Sequence, residues 1–307
     1  MRKILCIDGG GIKGVFPASF LASIEEAIGD TVLNYFDLIV GTSTGGIIAL
    51  GLGLGMTSQE ILLFYEELGP NIFNGSFFTK IIRRIFSSKY NQAHLRDALA
   101  NKFVKKRLSE SLKRLVIPSL NLETGEVHLY KTSHHPRFEK DYKELAVDVA
   151  LATAAAPTYF PTFRASSGIP LVDGGMWANN PLGVAVVEAI GVLKWDADVI
   201  KVLSLGCTTE PLNVSKKSGV KIALKIVDVF MSAQSSASLS TAQVLIGKKN
   251  IFRISPNVAK GRFSLDGVKE IQSLKGLGVS EARKALPELR EIFFNEKAEH
   301  FEPYHKI

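Results

Sequence analysis

Short apolar runs alternate with longer stretches of helical spacing through the first half of the chain. Lys3-Ile4-Leu5-Cys6-Ile7 is a run of strand length with no polar face, which reads as a central parallel strand. A helix follows at about Pro17–Ile28, with Phe20, Leu21, Ile24, Ala27 and Ile28 on one face and Glu25 and Glu26 on the other. Phe36–Val40 is the next strand and Gly46–Leu54 the next helix. Thr57-Ser58-Gln59-Glu60 has capping-box spacing and opens a helix to about Leu68. Such alternation predicts an α/β fold with a mostly parallel sheet and helices on both of its faces.

The pattern then changes. Leu68–Pro118 is basic and helical in spacing, interrupted by Gly69-Pro70 and Asn74-Gly75, and reads as a cap over the sheet. Leu115–Leu120 and Val127–Lys131 read as strands joined by a turn at Asn121–Glu126. An Ala-rich helix over Leu145–Ala155 must stop before Pro157. A strand at Gly168–Val172 and a helix capped by Asn180 with Pro181 at its start follow, then a buried strand at Ala197–Gly206. Ser215–Lys249 is helical with a Ser-rich middle, Ile251–Ile254 is a short strand, and Val268–Phe294 is helical. No repeat or low-complexity linker divides the chain, so residues 1–307 read as one domain. Its core is 3–206, with the basic cap at about 69–118 and a helical elaboration at about 215–307.

Composition narrows this little: 46% hydrophobic and 22% charged residues suit a soluble globular protein. Cys6 and Cys207 lie in apolar runs and read as buried thiols, which suits a reducing cytoplasm. The start of the chain shows no signal-peptide core, and the glycine-rich apolar run Gly45–Met56 is too short to cross a bilayer. The net charge of +7 is uneven: between Lys80 and Pro118 stand eleven Lys/Arg against two acids, which leaves −2 for everything else. A cluster of this kind is either a solvated helical face or a contact for an anionic partner such as lipid headgroups, a nucleotide or nucleic acid.

Three glycine turns carry the chemistry. Gly41-Thr42-Ser43-Thr44-Gly45 follows an apolar strand and precedes an apolar helix, the layout of a nucleophile elbow with Ser43 at its tip and Gly41 and Gly45 as its supports. The bland alternative for Ser43 is a helix cap. Gly9-Gly10-Gly11-Ile12-Lys13-Gly14 has the spacing of a dinucleotide loop, yet Asp8 would set a carboxylate against a pyrophosphate and the next strand ends without an acid for a ribose. Bare glycine amides there suit an oxyanion hole, with Lys13 adding positive charge; a plain tight turn is the remaining reading. Asp173-Gly174-Gly175 ends an apolar strand, where a desolvated carboxylate could take a serine proton directly. It competes with a turn aspartate that bonds its own backbone and with a histidine base. Of the six histidines, only His300 and His305 follow in hydrolase order, and both lie in a polar tail. No tight His/Cys/Asp cluster suggests a metal.

The three turns, in this order, resemble those of the patatin-like phospholipases. The spacing agrees, with Asp173 lying 130 residues after Ser43. So do Ala154-Ala155-Ala156-Pro157-Thr158-Tyr159-Phe160-Pro161 and Trp177-Ala178-Asn179-Asn180-Pro181; the likeness spans about Lys3–Gly206. It implies a three-layer patatin-like fold and a serine acyl hydrolase without cofactor that cleaves phospholipid esters. In it Ser43 is the nucleophile, Asp173 the base, and Gly9, Gly10, Gly11 and Gly14 the anion site. Lys13 stands where the family often has arginine, and Gly175 where it often has alanine. The basic cap and small size further resemble bacterial patatin-like effectors of antiviral signalling. That implies a cytoplasmic enzyme acting at the inner membrane, activated by a cyclic dinucleotide such as cyclic GMP-AMP. Lys80–Arg114 and Lys216–Lys249 are candidate nucleotide contacts. No nucleic-acid partner is expected, and a homodimer is an open option. The rivals are a lipid esterase without nucleotide control and a non-enzymatic nucleotide-binding module.

Overall fold

A computed structural model describes residues 1–73, 92–211 and 226–307. Among them an eight-stranded mixed sheet runs through the centre. Strands β1 (Arg2–Ile7), β2 (Leu38–Gly41) and β3 (Arg114–Asn121) lie parallel on one side of the centre. The strand Val127–Lys131 (β4) returns antiparallel on β3, as the hairpin pattern predicts. Two short strands, β5 (Phe163–Arg164) and β6 (Pro170–Asp173), also run antiparallel. On the far side, β7 (Ile200–Leu205) and β8 (Ile251–Ile254) extend the parallel part from β1.

Alternate residues of each central strand feed opposite cores. Leu5, Ile7, Ile39 and Ile117 pack with the helices α1 (Val15–Ile28), α2 (Thr44–Gly53), α3 (Ser58–Phe73) and α4 (Gln92–Phe103). The helix α5 (Ala146–Thr153) belongs to the same face. Ile4, Cys6, Leu38 and Val116 face a second core. The short helix α6 (Gly175–Ala178) leads into α7 (Leu182–Val187), which packs there with α8 (Ile226–Ile246). The last helix, α9 (Ile271–Ile292), lies along α1. Both cysteines are buried free thiols, as expected.

The capping box at Thr57 forms: its Oγ1 accepts the Glu60 N–H at 3.2 Å, and Glu60 Oε2 accepts the Thr57 N–H at 2.8 Å. Asn180 Oδ1 accepts the Leu182 N–H at 3.1 Å, but the helix starts one residue later than expected, with Pro181 rather than Asn180 at its N-cap. The strand expected at Leu115–Leu120 forms within β3, so the basic cap placed at about 69–118 ends before it. Arg114–Pro118 is sheet, with Leu115, Val116 and Ile117 fully buried. Three of its described cations have partners: Arg96 pairs with Asp148, Lys106 donates to Leu54 O, and Arg114 donates to Asp37 O. Lys80–Lys89 and Lys216–Lys225 lie outside the described residues.

One feature of the sheet positions the site. Val116 pairs with both β2 and β4, while Ser119 pairs with both β4 and β6. A strand has two edges, so β2 and β6 share the edge of β3 that β4 leaves free. They run in opposite directions along it and meet carboxyl end to carboxyl end. Ser43 leaves the end of β2 and Asp173 ends β6.

Candidate active site

Ser43 sits in the turn between β2 and α2 with φ 56° and ψ −121°, a conformation that ordinary residues avoid. Such strain persists only where the surroundings enforce it. Here the backbone crosses itself too closely for side chains. A Cβ on Gly41 would fall 2.1 Å from Gly45 O, and one on Gly45 would fall 2.3 Å from Ile7 O. The half-buried serine is thereby aimed at β6. Its Oγ donates to Asp173 Oδ2 at 2.6 Å.

Asp173 is buried, and its other oxygen, Oδ1, accepts the Gly175 N–H at 2.6 Å. Burial pushes its carboxyl up to about 6; the Ser43 hydroxyl and the Gly175 N–H pull it part of the way back. Gly174 has its own reason: a Cβ there would lie 2.3 Å from Pro118 O.

The first glycine turn passes over the pair, but not all of it faces the reacting atoms. Gly9 is a correction to the expected oxyanion set, because its N–H already donates to Asn179 O at 2.9 Å. Its missing side chain instead lets Asn179 and Ser43 approach, since a Cβ would lie 2.5 Å from Asn179 Oδ1. Gly14 is also packing: a Cβ there would strike Thr44 Oγ1 at 2.2 Å. Gly10 and Gly11 remain, and among the described residues their N–H groups have no partner in the chain. Gly11 has φ +58°, a left-handed turn that glycine adopts without strain. Lys13, half-buried, lines the same cavity.

Sequence reasoning missed the groups that hold this turn. Asp8 accepts a two-pronged hydrogen bond from Arg253, through Nη1 at 2.7 Å and through Nη2, and Nη1 also donates to Ser204 Oγ at 2.8 Å. Burial pushes the Asp8 carboxyl up, and the guanidinium opposes that rise. A lone arginine in the apolar strand Ile251–Ile254 was the available signal. The Asp173–Asn180 segment is bolted to α8: Gln234 accepts the Asn179 N–H at 3.1 Å and donates to Trp177 O, and Ser238 donates to Asn180 O at 2.7 Å. The Ser-rich middle of that helix is therefore a polar packing face.

Ser43, Asp173, Gly10, Gly11 and Lys13 all line one cavity of about 1200 Å³. Ile47, Phe64, Leu95, Phe160 and Phe263 make a greasy wall. Among the described residues no histidine lines it. His305 instead contacts Pro136 O at 2.7 Å, and His134 is buried against Glu188 at 2.9 Å.

An apolar crevice with a strained serine bonded to a buried carboxylate is the architecture of a serine acyl hydrolase. The chain belongs to the patatin-like phospholipase family, whose profile matches residues 5–186. It is accordingly an enzyme, a phospholipase with the three-layer patatin-like fold. Three relatives carry the name cGAMP-activated phospholipase. One from Pseudomonas aeruginosa is 33% identical over 92% of this chain and 88% of its own length. One from Vibrio cholerae is 35% identical over 70% and 67%, and one from Escherichia coli is 33% identical over 69% and 64%.

Proposed function

We propose that the chain hydrolyses acyl esters of membrane phospholipids with Ser43 as nucleophile and Asp173 as its base, and that cyclic GMP-AMP switches it on. The 2.6 Å bond between Ser43 Oγ and Asp173 Oδ2 carries the catalytic part. Ser43 passes its proton to Asp173 as Oγ attacks the ester carbonyl. The free amides of Gly10 and Gly11 receive the oxyanion, with Lys13 nearby as the source of positive charge. As the tetrahedral intermediate collapses, Asp173 returns the proton to the departing alcohol oxygen and an acyl-serine remains. Asp173 then takes a proton from water, the hydroxide attacks the acyl carbonyl, and the fatty acid leaves as the proton returns to Ser43. A carboxylate raised to about 6 suits both duties, being ionised at neutral pH yet a better proton acceptor than an exposed aspartate.

The names of the three relatives support the activator. The test is phospholipid hydrolysis across a panel of cyclic dinucleotides, with fluorophosphonate labelling and peptide mapping. The expected result is a label on Ser43, none on S43A, and a large rise in turnover with cyclic GMP-AMP. Full activity without any nucleotide would remove the switch, and a label elsewhere would remove Ser43.

The enzyme reaches lipid at the surface of the inner membrane. Among the described residues no helix is long and apolar enough to cross a bilayer. The cavity rim, however, carries Met176 and Phe230 at 55% and 66% exposure, an apolar lip that an acyl surface could cover. Gln234 lies one helical turn beyond Phe230 and bonds Trp177, so both apolar side chains stand at one side of the mouth. Burying a phenylalanine side chain is worth about 2 kcal/mol. F230D is therefore expected to lose roughly tenfold more activity on phospholipid vesicles than on a soluble short-chain ester. Equal losses on both substrates would exclude this rim from docking.

A further inference from the structure

The meeting of β2 and β6 leaves a gap on the edge of β3. On that edge β2 pairs with Arg114–Val116 and β6 with Ser119–Asn121, so Ile117 and Pro118, paired with β4 on the other edge, have no strand partner there. Proline has no N–H to satisfy there, but its carbonyl needs a donor. The end of α5 fills the gap. Thr153, fully buried, donates from Oγ1 to Pro118 O at 2.6 Å. Thr153 Oγ1 in turn accepts the Ser43 N–H at 3.0 Å.

Two residues on, Ala155 O accepts the Asp173 N–H at 3.1 Å, and Ala152 O accepts from Ser119 Oγ at 3.4 Å. One short piece of chain thus grips the backbone of both Ser43 and Asp173. A threonine near a helix end ordinarily turns its hydroxyl back onto its own helix. This one is spent on two other elements. The Ser43 N–H it accepts belongs to the residue with the strained φ, which local structure alone would not hold.

We propose that Thr153 is a positioning residue for the reaction: its hydroxyl clamps the Ser43 backbone to β3 and so sets the distance between Ser43 and Asp173. The inference rests on the reading of Ser43 and Asp173 as the reacting pair. Valine keeps the shape of threonine and loses the hydroxyl; serine keeps the hydroxyl and loses a methyl. With T153V, the Ser43 N–H and Pro118 O lose their shared partner and the serine drifts from the carboxylate. Turnover of a soluble ester should fall about 10- to 100-fold with KM within twofold of wild type, the signature of a lost transition-state interaction.

The pH profile separates positioning from general damage. No charged side chain contributes to the shift at Asp173; burial raises it, and the Ser43 hydroxyl and Gly175 N–H lower it. Weakening the Ser43 bond removes one lowering influence, so the acid limb of kcat/KM should move to higher pH in T153V. T153S should restore both turnover, within about threefold, and the acid limb.

The variants are compared as full chains that melt cooperatively, with S43A alongside. T153V at wild-type turnover with an unmoved acid limb overturns the proposal, as does T153S failing as badly as T153V. Should T153V not fold, T153A takes its place: folded but impaired supports the clamp, and folded with full turnover overturns it. Activity surviving in S43A would instead reject the dyad itself, whatever Thr153 does.

Discussion

Asp173→Asn is expected to abolish ester hydrolysis, by at least about 10³-fold, while leaving a protein that melts higher than wild type at neutral pH. Both effects have one cause. The carboxylate is buried at the end of β6, and its burial raises it from 3.8 to about 6. The ionised form that the proposed reaction needs is thus held at a cost of about 3 kcal/mol. Asparagine bears no such charge, yet its amide can still accept the Gly175 N–H and donate to Ser43. Part of that cost should return as stability, a rise of a few degrees in Tm.

The sign with pH follows. Between pH 4 and 6 the folded wild type binds a proton at Asp173 that the unfolded chain does not. Wild-type stability from this group is therefore lost as pH rises through about 6, and recovered as pH falls toward 4. The stability gap between D173N and wild type should be widest above pH 6 and close near pH 4. Wild-type kcat/KM should fall as pH drops through about 6, where Asp173 is protonated. Turnover near the wild-type value in D173N would remove the aspartate from the mechanism. A lower Tm in D173N at every pH would show that the buried charge is not strained.

Arg253→Met should cost about 3–5 kcal/mol, because it leaves the Asp8 carboxylate buried under the glycine turn without its partner. Asp8 is 5% exposed and has both oxygens on Arg253. The loss should shrink as pH falls and Asp8 takes up a proton. The double variant D8N/R253M should recover much of the stability that R253M loses, since no unpaired charge then remains. Catalysis should fall in both variants, because Asp8 immediately precedes the turn that presents the Gly10 and Gly11 amides. Thermal melts of the set against pH provide the measurement. Equal stability of R253M and wild type would mean that the pair does not hold the turn.

Much of the site was legible before any fold was known. Strand, glycine turn and helix around Ser43 form one local pattern, and such patterns depend on neighbours a few residues away. The same is true of the Thr57–Glu60 capping box and the buried cysteines. Asp173 could be singled out because an acid at the end of an apolar strand is rare enough to need a reason. The division of labour within the first turn was not legible. Four glycines look alike in sequence, but one amide is taken by Asn179 and another glycine is there to admit Thr44.

The amino-acid order by itself determined the alternation of strands and helices and the elbow that strains Ser43, and it singled out the two side chains proposed to react. Tertiary structure alone decided that β6 runs antiparallel and abuts β2 end to end, which brings residues 130 positions apart into hydrogen-bonding contact. It also decided that Thr153 closes the gap beneath them and that Arg253 neutralises Asp8. The physical reason is the range of the forces. Turn and helix preferences act within a few residues, whereas a buried carbonyl or carboxylate takes whichever donor the packed chain delivers, from any distance along it.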